Sequence, residues 1–168
     1  MAIRRPQAAP EEPLPVSRYH GRRMSEAEYL ALPVEKPYLE YVDGVVLQKP
    51  MANLNHGQLA MELGFRIRTW MGDRPGHSIG AEVRAKLGDL PNYRLPDVSY
   101  WAPGRAAEDD SLPTLAIEIR SPSQTLGELR EKCRFFRRNG VDACWIVDPE
   151  SRTAELFELN RDGEVVPT

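Results

Sequence analysis

Two carboxylates stand inside short apolar segments, and their type and spacing make them the residues best suited to chemistry. Asp97 lies in an Arg-Leu-Pro-Asp-Val segment and Glu118 in a Leu-Ala-Ile-Glu-Ile segment. Burying a carboxylate costs free energy unless a cation or hydrogen-bond donors stabilise it. On neighbouring strands, the two side chains could hold one divalent metal ion. With Lys132 on a following helix they form a Pro-Asp, Glu, Lys pattern, which indicates metal-dependent phosphodiester cleavage.

Each of these three residues also has a purely structural interpretation. Asp97 could accept backbone hydrogen bonds at the start of a strand. Glu118 could belong to a structural salt bridge, because a glutamate is almost never fully buried without a partner. Lys132 could be a solvated lysine at the edge of the apolar stripe of its helix. From that edge, its aliphatic stem could equally lie on apolar surface while the ammonium reaches inward.

Further candidates surround this pattern. Glu40, between Leu39 and Tyr41, is either an outer metal carboxylate or a solvent-facing residue. His56 is either a core histidine that donates one hydrogen bond or a site residue at a helix N-terminus, where the helix dipole favours the neutral base. Four arginines give the last helix a basic face that is either solvated or in contact with nucleic-acid phosphates: Arg130, Arg134, Arg137 and Arg138.

The residue types predict a mechanism. Asp97, Glu118 and the backbone carbonyl of Ile119 would ligate Mg²⁺, or Mn²⁺, through hard oxygen donors. The metal would lower the pKa of its water and neutralise charge on the scissile phosphate. Lys132 would position or deprotonate that water, or stabilise the phosphorane.

Local signals predict the elements that must position these residues. Capping boxes at Ser25/Glu28 and Thr125/Glu128 predict a short helix before Pro33 and a helix over 126–138. Asp43-Gly44 predicts a hairpin of strands 38–42 and 45–49. Apolar residues at spacings of three and four predict a helix over 56–71, with a stripe of His56, Leu59, Leu63, Ile67 and Trp70. The remaining strands are expected at 78–87, 95–101, 115–120, 143–147 and 154–159, which gives an α/β sheet layered with helices.

Composition limits the classes of protein. The chain has 168 residues, 41% hydrophobic and 28% charged, as in an ordinary globular protein. Residues 1–17 are proline-rich and are expected to form a flexible leader, followed by one domain over 18–168. No apolar run approaches the ~20 residues that span a membrane. The net charge of −3 argues against a basic nucleic-acid coat protein. Cys133 and Cys144 are expected to be buried, reduced thiols of a cytoplasmic protein.

The ordered set of motifs resembles the Uma-type family of predicted restriction endonucleases, within the PD-(D/E)XK nuclease superfamily. The resemblance runs from about Met24 to Leu159. It is carried by the segments 38–44 (Tyr-Leu-Glu-Tyr-Val-Asp-Gly), 56–57 (His-Gly), 94–98 (Arg-Leu-Pro-Asp-Val), 117–123 (Ile-Glu-Ile-Arg-Ser-Pro-Ser), Lys132 and 140–149 (Gly-Val-Asp-Ala-Cys-Trp-Ile-Val-Asp-Pro).

The resemblance implies a restriction-endonuclease-like mixed β-sheet flanked by α-helices, with Asp97 and Glu118 as metal ligands. The superfamily's usual lysine stands two residues after the glutamate, where this chain has Arg120. An arginine is effectively always protonated and cannot act as a base. The family pattern therefore implies that the lysine role has moved to Lys132. Arg120 and Ser121 are expected to line the site.

We therefore expect a Mg²⁺-dependent DNA endonuclease centred on Asp97, Glu118 and Lys132, with Glu40 assisting. A homodimer is plausible because cutting both strands takes two sites. Two alternatives stay open. One is a DNA-binding or protein-interaction module that keeps the fold without the chemistry. The other is a structural domain with buried ion pairs.

Overall fold

The computed structural model describes residues 16–159 and 165–167. It contains three helices, α1 (Glu26–Leu30), α2 (Leu54–Met71) and α3 (Leu126–Arg138). Its strands are β1 (Leu39–Val42), β2 (Val45–Gln48), β3 (Ser78–Gly80), β4 (Ala85–Lys86), β5 (Tyr93–Arg94), β6 (Val98–Trp101), β7 (Leu115–Ile119), β8 (Ala143–Asp148), β9 (Thr153–Leu159) and β10 (Val165–Pro167). The predicted leader falls almost entirely on residues 1–15, outside the described part of the chain.

Helix starts follow the predicted capping chemistry. Both capping boxes are present, Ser25 with Glu28 on α1 and Thr125 with Glu128 on α3. The bounds of α3 agree with the prediction. Helix α2 begins two residues before the predicted start, because the Asn53 side chain accepts a hydrogen bond from the backbone N–H of His56 at 2.9 Å.

The strands form two sheets rather than one. Their orders are β2-β1-β5-β4 and β10-β9-β8-β7-β6-β3. The larger sheet is mixed, since β7 and β8 pair in parallel while its other neighbours are antiparallel. The mixed α/β architecture that we expected is therefore confirmed, and the predicted hairpin is present as β1 and β2. Asp43 and Gly44 both have positive φ (51° and 80°), as the tight turn between these strands requires.

Two predicted strands were wrong in their extent. The strand expected over 78–87 is divided into β3 and β4, which belong to different sheets. Glu82 between them has a φ of 52°, a left-handed conformation that turns the chain out of a straight strand. The strand expected over 95–101 begins only at Val98. Asp97 therefore precedes β6 instead of lying within it.

The main core lies between α3 and the larger sheet. Leu129, Cys133 and Phe136 bring the predicted apolar stripe of α3 to this core, and all three are fully buried. On α2 the predicted stripe holds for His56, Leu63 and Ile67 but not for Trp70, which is 57% exposed while Met71 takes the buried place. One further helical turn past Ile67 lies at residue 71, so the 3.6-residue period favours Met71 over Trp70.

The cysteines are buried as predicted, but the expectation that they are reduced was wrong. Cys133 and Cys144 are joined as a disulfide between α3 and β8, with Cα atoms 5.5 Å apart. That Cα separation is ordinary for a disulfide. In the described part of the chain, no helix is long and apolar enough to cross a membrane.

Candidate active site

Asp97 and Glu118 are brought together by the pairing of β6 with β7. Val98 pairs with Ile117 in an antiparallel register, so the residue before Val98 lies opposite the residue after Ile117. Opposite residues of an antiparallel pair project from the same face of the sheet. Asp97 and Glu118 are both buried on this face.

The Asp97 carboxylate is held by three donors. Its Oδ1 accepts a hydrogen bond from Lys49 Nζ at 2.8 Å. Its Oδ2 accepts one from the backbone N–H of Ile119 at 2.8 Å and lies 3.1 Å from His56 Nε2. Ile119, which we predicted as a metal ligand through its carbonyl, therefore also orients Asp97 through its N–H. His56 reaches the site from the first turn of α2.

Glu118 has fewer hydrogen-bond partners than Asp97. Its Oε2 accepts a hydrogen bond from Lys132 Nζ at 3.0 Å. Its Oε1 is buried and has no hydrogen-bond partner among the described residues. A buried carboxylate oxygen without a partner is costly, and it marks a place where a cation or a donor can bind favourably.

Glu40 shares the ammonium of Lys132 with Glu118. Lys132 Nζ lies 2.9 Å from Glu40 Oε1, so the lysine stands between the two glutamates. Glu40 also accepts hydrogen bonds from Arg94 at 2.9 Å and from the backbone N–H of Leu95 at 3.0 Å. The Lys132 side chain therefore points inward from the edge of the α3 stripe, and Glu40 faces the site rather than solvent.

The electrostatics of the three carboxylates differ. Burial alone would raise the pKa of Glu40, but the positive charges of Lys132, Arg94 and Lys49 lower it to about 2. Asp97 likewise has a lowered pKa, since Lys49 and the hydrogen bond of His56 outweigh its burial. Burial raises the pKa of Glu118 to about 7, and neighbouring Asp97 and Glu40 act in the same direction. Two carboxylates are thus held ionised, and the third takes up a proton easily.

Lys49 is the site residue that the sequence analysis did not identify. It is almost fully buried, donates to Asp97 and also donates to the carbonyl of Leu95 at 2.6 Å. Its burial would lower its pKa, but Asp97, Glu118 and Glu40 together raise it. The only signal in the sequence was a lysine at the end of a hairpin strand, before Pro50. That signal is typical of a solvated strand end.

The remaining candidates are less closely engaged with the carboxylates. Arg120 makes ion pairs with Asp148 at 3.0 Å and with Glu150 at 3.2 Å. Ser121 is buried at the same end of β7, where its backbone N–H donates to Gln124. Both residues line a small cavity beside the site.

Three of the four arginines of α3 already have partners within the protein. Arg130 donates two hydrogen bonds to Glu155, Arg134 pairs with Glu131, and Arg137 donates to the carbonyls of Val141 and Asp142. Arg138 is exposed and lines the large cleft described next. A role of these arginines in nucleic-acid binding stays a prediction.

A cleft of about 810 Å³ opens between the hairpin and α3 and leads to the site. Its charges are balanced. Four basic side chains line it, Lys49, Arg94, Lys132 and Arg138, as do four acidic ones, Glu40, Asp43, Glu128 and Glu131. Asp97 and Glu118 lie behind this lining, deeper in the protein. A cleft with this balance has no strong attraction of its own for a polyanion.

The donors at the base of the cleft fit a hard divalent cation. Mg²⁺ is usually bound by one or two carboxylates and keeps several waters. Asp97 and Glu118 supply two carboxylates, and Glu118 Oε1 is buried without a hydrogen-bond partner among the described residues. Over residues 16–159 and 165–167, no group of three or more His, Cys, Asp or Glu side chains is arranged to hold a metal ion. A two-carboxylate site is therefore what these residues can offer.

Comparison with known proteins finds both a matching family and matching solved structures. Residues 26–168 match the Uma2 family, described as "Putative restriction endonuclease". The fold matches the crystal structure of a putative nuclease belonging to DUF820 from Anabaena variabilis, with a TM-score of 0.73 and 25% sequence identity. That match covers 86% of this chain and 85% of the other. Among proteins with curated descriptions, none matches this sequence.

Proposed function

This chain belongs to the Uma2 family, and from that premise we propose that it is a metal-dependent endonuclease that hydrolyses phosphodiester bonds of DNA. The observation that carries the proposal is the pair of buried carboxylates opposite each other in the β6–β7 ladder, where Glu118 Oε1 has no partner among the described residues. Burying two carboxylates is costly for folding, and Glu118 has only a share of Lys132 to offset that cost.

In this proposal Asp97 and Glu118 hold the divalent ion, Mg²⁺ or Mn²⁺, with the Ile119 carbonyl as a third ligand. A divalent ion bound there supplies Lewis-acid stabilisation of the charge that develops on a scissile phosphate. Lys49, His56 and the Ile119 N–H keep the Asp97 carboxylate in one orientation, so that the ligand is arranged before the ion arrives. A carboxylate that is already held in its binding orientation loses less conformational entropy when the ion binds.

Lys132 is the group of the chain that is best placed to act on the phosphate. Its ammonium stands 3.0 Å from Glu118 and lines the open cleft. From there it can donate a charge-assisted hydrogen bond to a phosphate oxygen next to the metal ligands. Glu40, held by Arg94, fixes the ammonium from the other side. Arg120 pairs with Asp148 and Glu150 instead, so the lysine role falls to Lys132.

The balanced charge of the cleft adds a requirement to the proposal. Four acidic groups at the cleft wall oppose a polyanion, and the divalent ion adds two positive charges at its base. DNA binding should therefore be much weaker in EDTA than with a divalent ion present. A DNA-binding module without the chemistry would bind in both conditions.

The testing experiment is nicking and cleavage of supercoiled plasmid with Mg²⁺ or Mn²⁺. The wild type is compared with Asp97→Ala, Glu118→Gln and Lys132→Met. Asp73→Asn is the matched control, because Asp73 is an exposed carboxylate on the loop after α2. We expect cleavage by the wild type and the control, abolished by EDTA, and at least a hundredfold less from the three site variants.

Two results would contradict the proposal. One is cleavage that survives all three site substitutions, which would indicate a contaminating nuclease. The other is no cleavage by the wild type together with no binding of Mg²⁺ or Mn²⁺ by calorimetry. That second result would favour the non-catalytic module. A further expectation of the proposal is that double-strand breaks require two copies of the chain.

A further inference from the structure

The outer face of α2 exposes a row of large apolar side chains. Leu54 is 76% exposed, Met61 78% and Phe65 67%. The opposite face of the same helix packs on the larger sheet through Leu63, Ile67 and Met71. Over residues 16–159 and 165–167, nothing covers the outer row. Large apolar side chains gathered on one face of a surface helix are typical of an interaction site.

The spacing of this row indicates what kind of partner fits it. Leu54, Gln58, Met61, Phe65, Arg68 and Gly72 follow one another at intervals of four, three, four, three and four residues. This alternation is the seam of a coiled coil, whose partner is another α-helix. We call these six positions the α2 seam. It lies on the side of α2 that faces away from the core.

We propose that the α2 seam is the interface of a homodimer, in which α2 packs antiparallel against α2 of a second copy. The α2 seam pairs with itself when the two helices lie antiparallel with their Leu63 residues at the same height. Met61 then lies opposite Phe65, and Gln58 lies opposite Arg68. A symmetric dimer requires this reciprocity, since each contact must occur twice. Methionine sulfur on an aromatic ring and an amide oxygen on a guanidinium are both favourable contacts.

The ends of the seam agree with the same arrangement. Leu54 would lie opposite Gly72, the residue that ends α2. Apart from its two chain neighbours, no residue in the described part of the chain has an atom within 4 Å of the position that a Cβ of Gly72 would take, so this end of the seam is open. A leucine of the second copy can therefore lie over Gly72 without displacing a side chain.

The charge on the seam argues for the antiparallel direction. In a parallel pair, Arg68 would face Arg68 of the second copy, and like charges opposite each other are unfavourable. The antiparallel pair replaces this repulsion by two contacts between Arg68 and Gln58. A helix of another protein would need to reproduce the same pattern, whereas a second copy of this chain has it already.

The proposed dimer brings together two copies of the site, and the use of both copies rests on the proposed function. His56 lies seven residues from the level of Leu63, so the two copies of His56 would be about 21 Å apart along the helix axes at 1.5 Å per residue. Such a dimer carries two sites, which is the number that cutting both strands of one duplex requires. The interface itself is argued from α2 alone.

The expected dimer is weak. Helix α2 has 18 residues and is about 27 Å long. The three apolar side chains of its seam bury less than the ~800 Å² per partner of a standard interface. We therefore expect dissociation in the micromolar range. The test is sedimentation velocity on the wild-type protein at concentrations that bracket this range.

Two variants make the measurement specific. Phe65→Glu places a charge at the centre of the seam and should abolish the dimer. Leu90→Glu is the matched control, because Leu90 is 69% exposed and lies outside the helices. It should leave dimerisation unchanged. Both substitutions are at exposed side chains, and thermal melting monitored by circular dichroism checks that each variant folds.

The direction of the helices is tested by a spin label at Asn55→Cys, an exposed position beside the seam. The native cysteines are buried and paired, so the label attaches to the introduced thiol. The antiparallel dimer places the two labelled positions about 24 Å apart along the helix axes. A parallel dimer would place them about 8–10 Å apart.

Three outcomes would overturn the inference. They are a wild type that stays monomeric throughout, a dimer that Phe65→Glu leaves intact, and a label distance of the parallel kind. These results are independent of catalysis, since a monomer can still nick one strand. If both proposals hold, Phe65→Glu should retain nicking and lose most double-strand breaks, whereas Leu90→Glu retains both.

Discussion

Asp97 and Glu118 lie opposite each other on neighbouring strands, yet the protein holds them in opposite ways. Asp97 is in contact with Lys49, His56 and the Ile119 N–H, so both of its oxygens have partners. Among the residues that the structure describes, Glu118 is hydrogen-bonded by Lys132 alone, and its second oxygen has no partner. Neighbouring charges lower the pKa of Asp97, whereas burial raises the pKa of Glu118 to about 7.

The difference divides the site into a fixed half and a receptive half. In the Asp97 half, neighbouring positive charge offsets the charge of the carboxylate, and hydrogen bonds hold the carboxylate in one orientation. The Glu118 half lacks positive charge, since it shares the ammonium of Lys132 with Glu40. A divalent cation would supply the positive charge that the second half lacks. If this division is correct, substitutions in the two halves should differ in sign and size.

The largest difference should come from the two lysines. Lys49→Met leaves the ionised Asp97 buried without its main partner, and breaking a buried ion pair typically costs about 3–5 kcal/mol of unfolding free energy. Lys132→Met should cost less, about 1–2 kcal/mol, because Arg94 still pairs with Glu40 and Glu118 can take up a proton near neutral pH. Urea unfolding near neutral pH in EDTA measures both values.

The control for this pair is Lys86→Met, which removes an exposed salt bridge with Glu26. Its cost should be within about 1 kcal/mol of zero. Equal destabilisation by Lys49→Met and Lys132→Met would contradict the division, because the two halves would then depend equally on their cations.

The next largest effect is stabilisation by the metal itself. A ligand that binds the folded state alone at a hundred times its dissociation constant stabilises that state by about 2.7 kcal/mol. Mg²⁺ should therefore raise the melting temperature of the wild type relative to EDTA. Glu118→Gln should lose this shift, since the amide cannot offer a charged oxygen.

Asp148→Asn is a suitable comparison for the metal effect. Asp148 is a buried carboxylate that pairs with Arg120 and lies outside the two-carboxylate site. Its variant should be less stable in both conditions but should keep the Mg²⁺ shift. A shift that persists in Glu118→Gln would place the ion elsewhere.

A third prediction concerns pH. The pKa of Glu118 is about 7 in the folded protein and near 4.5 when the chain is unfolded. The folded state therefore binds more protons between these values, and its stability decreases as the pH rises through that window. Glu118→Gln removes this loss, because glutamine stays neutral. Relative to the wild type in EDTA, the variant should gain about 2 kcal/mol between about pH 5.5 and about pH 8.

The measurement is urea unfolding of both proteins at several pH values across the window. Comparing each variant with the wild type at the same pH cancels the other titrating groups. Asp148→Asn supplies the contrast, because hydrogen bonds from Ser151, Glu150 and Arg120 outweigh burial and lower the pKa of Asp148, which stays ionised throughout and lies outside the site. Its difference from the wild type should be independent of pH. A pH-independent difference for Glu118→Gln would show that Glu118 is held ionised as firmly as Asp97.

The sequence predicted local features well, because they depend on neighbouring residues. The Asp-Gly turn and both capping boxes each need only three or four residues. Glu118 stood out because a glutamate inside an apolar strand requires a partner. Asp97 stood out as a carboxylate among strand-forming residues, and the family resemblance supported pairing it with Glu118. The structure brings both together with Lys132, as that pattern implied.

The features that sequence reasoning missed depend on contacts distant along the chain. Lys49 meets Asp97 across 48 residues, and nothing near Lys49 indicates that it is buried. The division of the 78–87 segment into two sheets depends on a turn at Glu82, a residue with no strong turn preference. Cys133 and Cys144 are 11 residues apart on different elements, so their pairing depends on how α3 lies on β8.

The smallest predicted effect concerns DNA contact on the receptive side of the site. Arg138 is exposed at the cleft that Lys132 lines, whereas Arg130 donates two hydrogen bonds to Glu155. An arginine that contacts a phosphate releases a counterion, which changes the slope of log affinity against log salt by about 0.9 per contact. Arg138→Ala should therefore lower this slope by about 0.9, and Arg130→Ala should change it little.

Fluorescence anisotropy of a labelled duplex across a range of salt concentrations measures the slope, with Ca²⁺ in place of Mg²⁺ so that the duplex is not cut. The same titration in EDTA provides the second comparison. If DNA enters the cleft beside Lys132, the effect of Arg138→Ala should disappear in EDTA along with most of the binding. An equal loss of slope from Arg130→Ala, or full binding in EDTA, would instead place the DNA on the outer surface of α3.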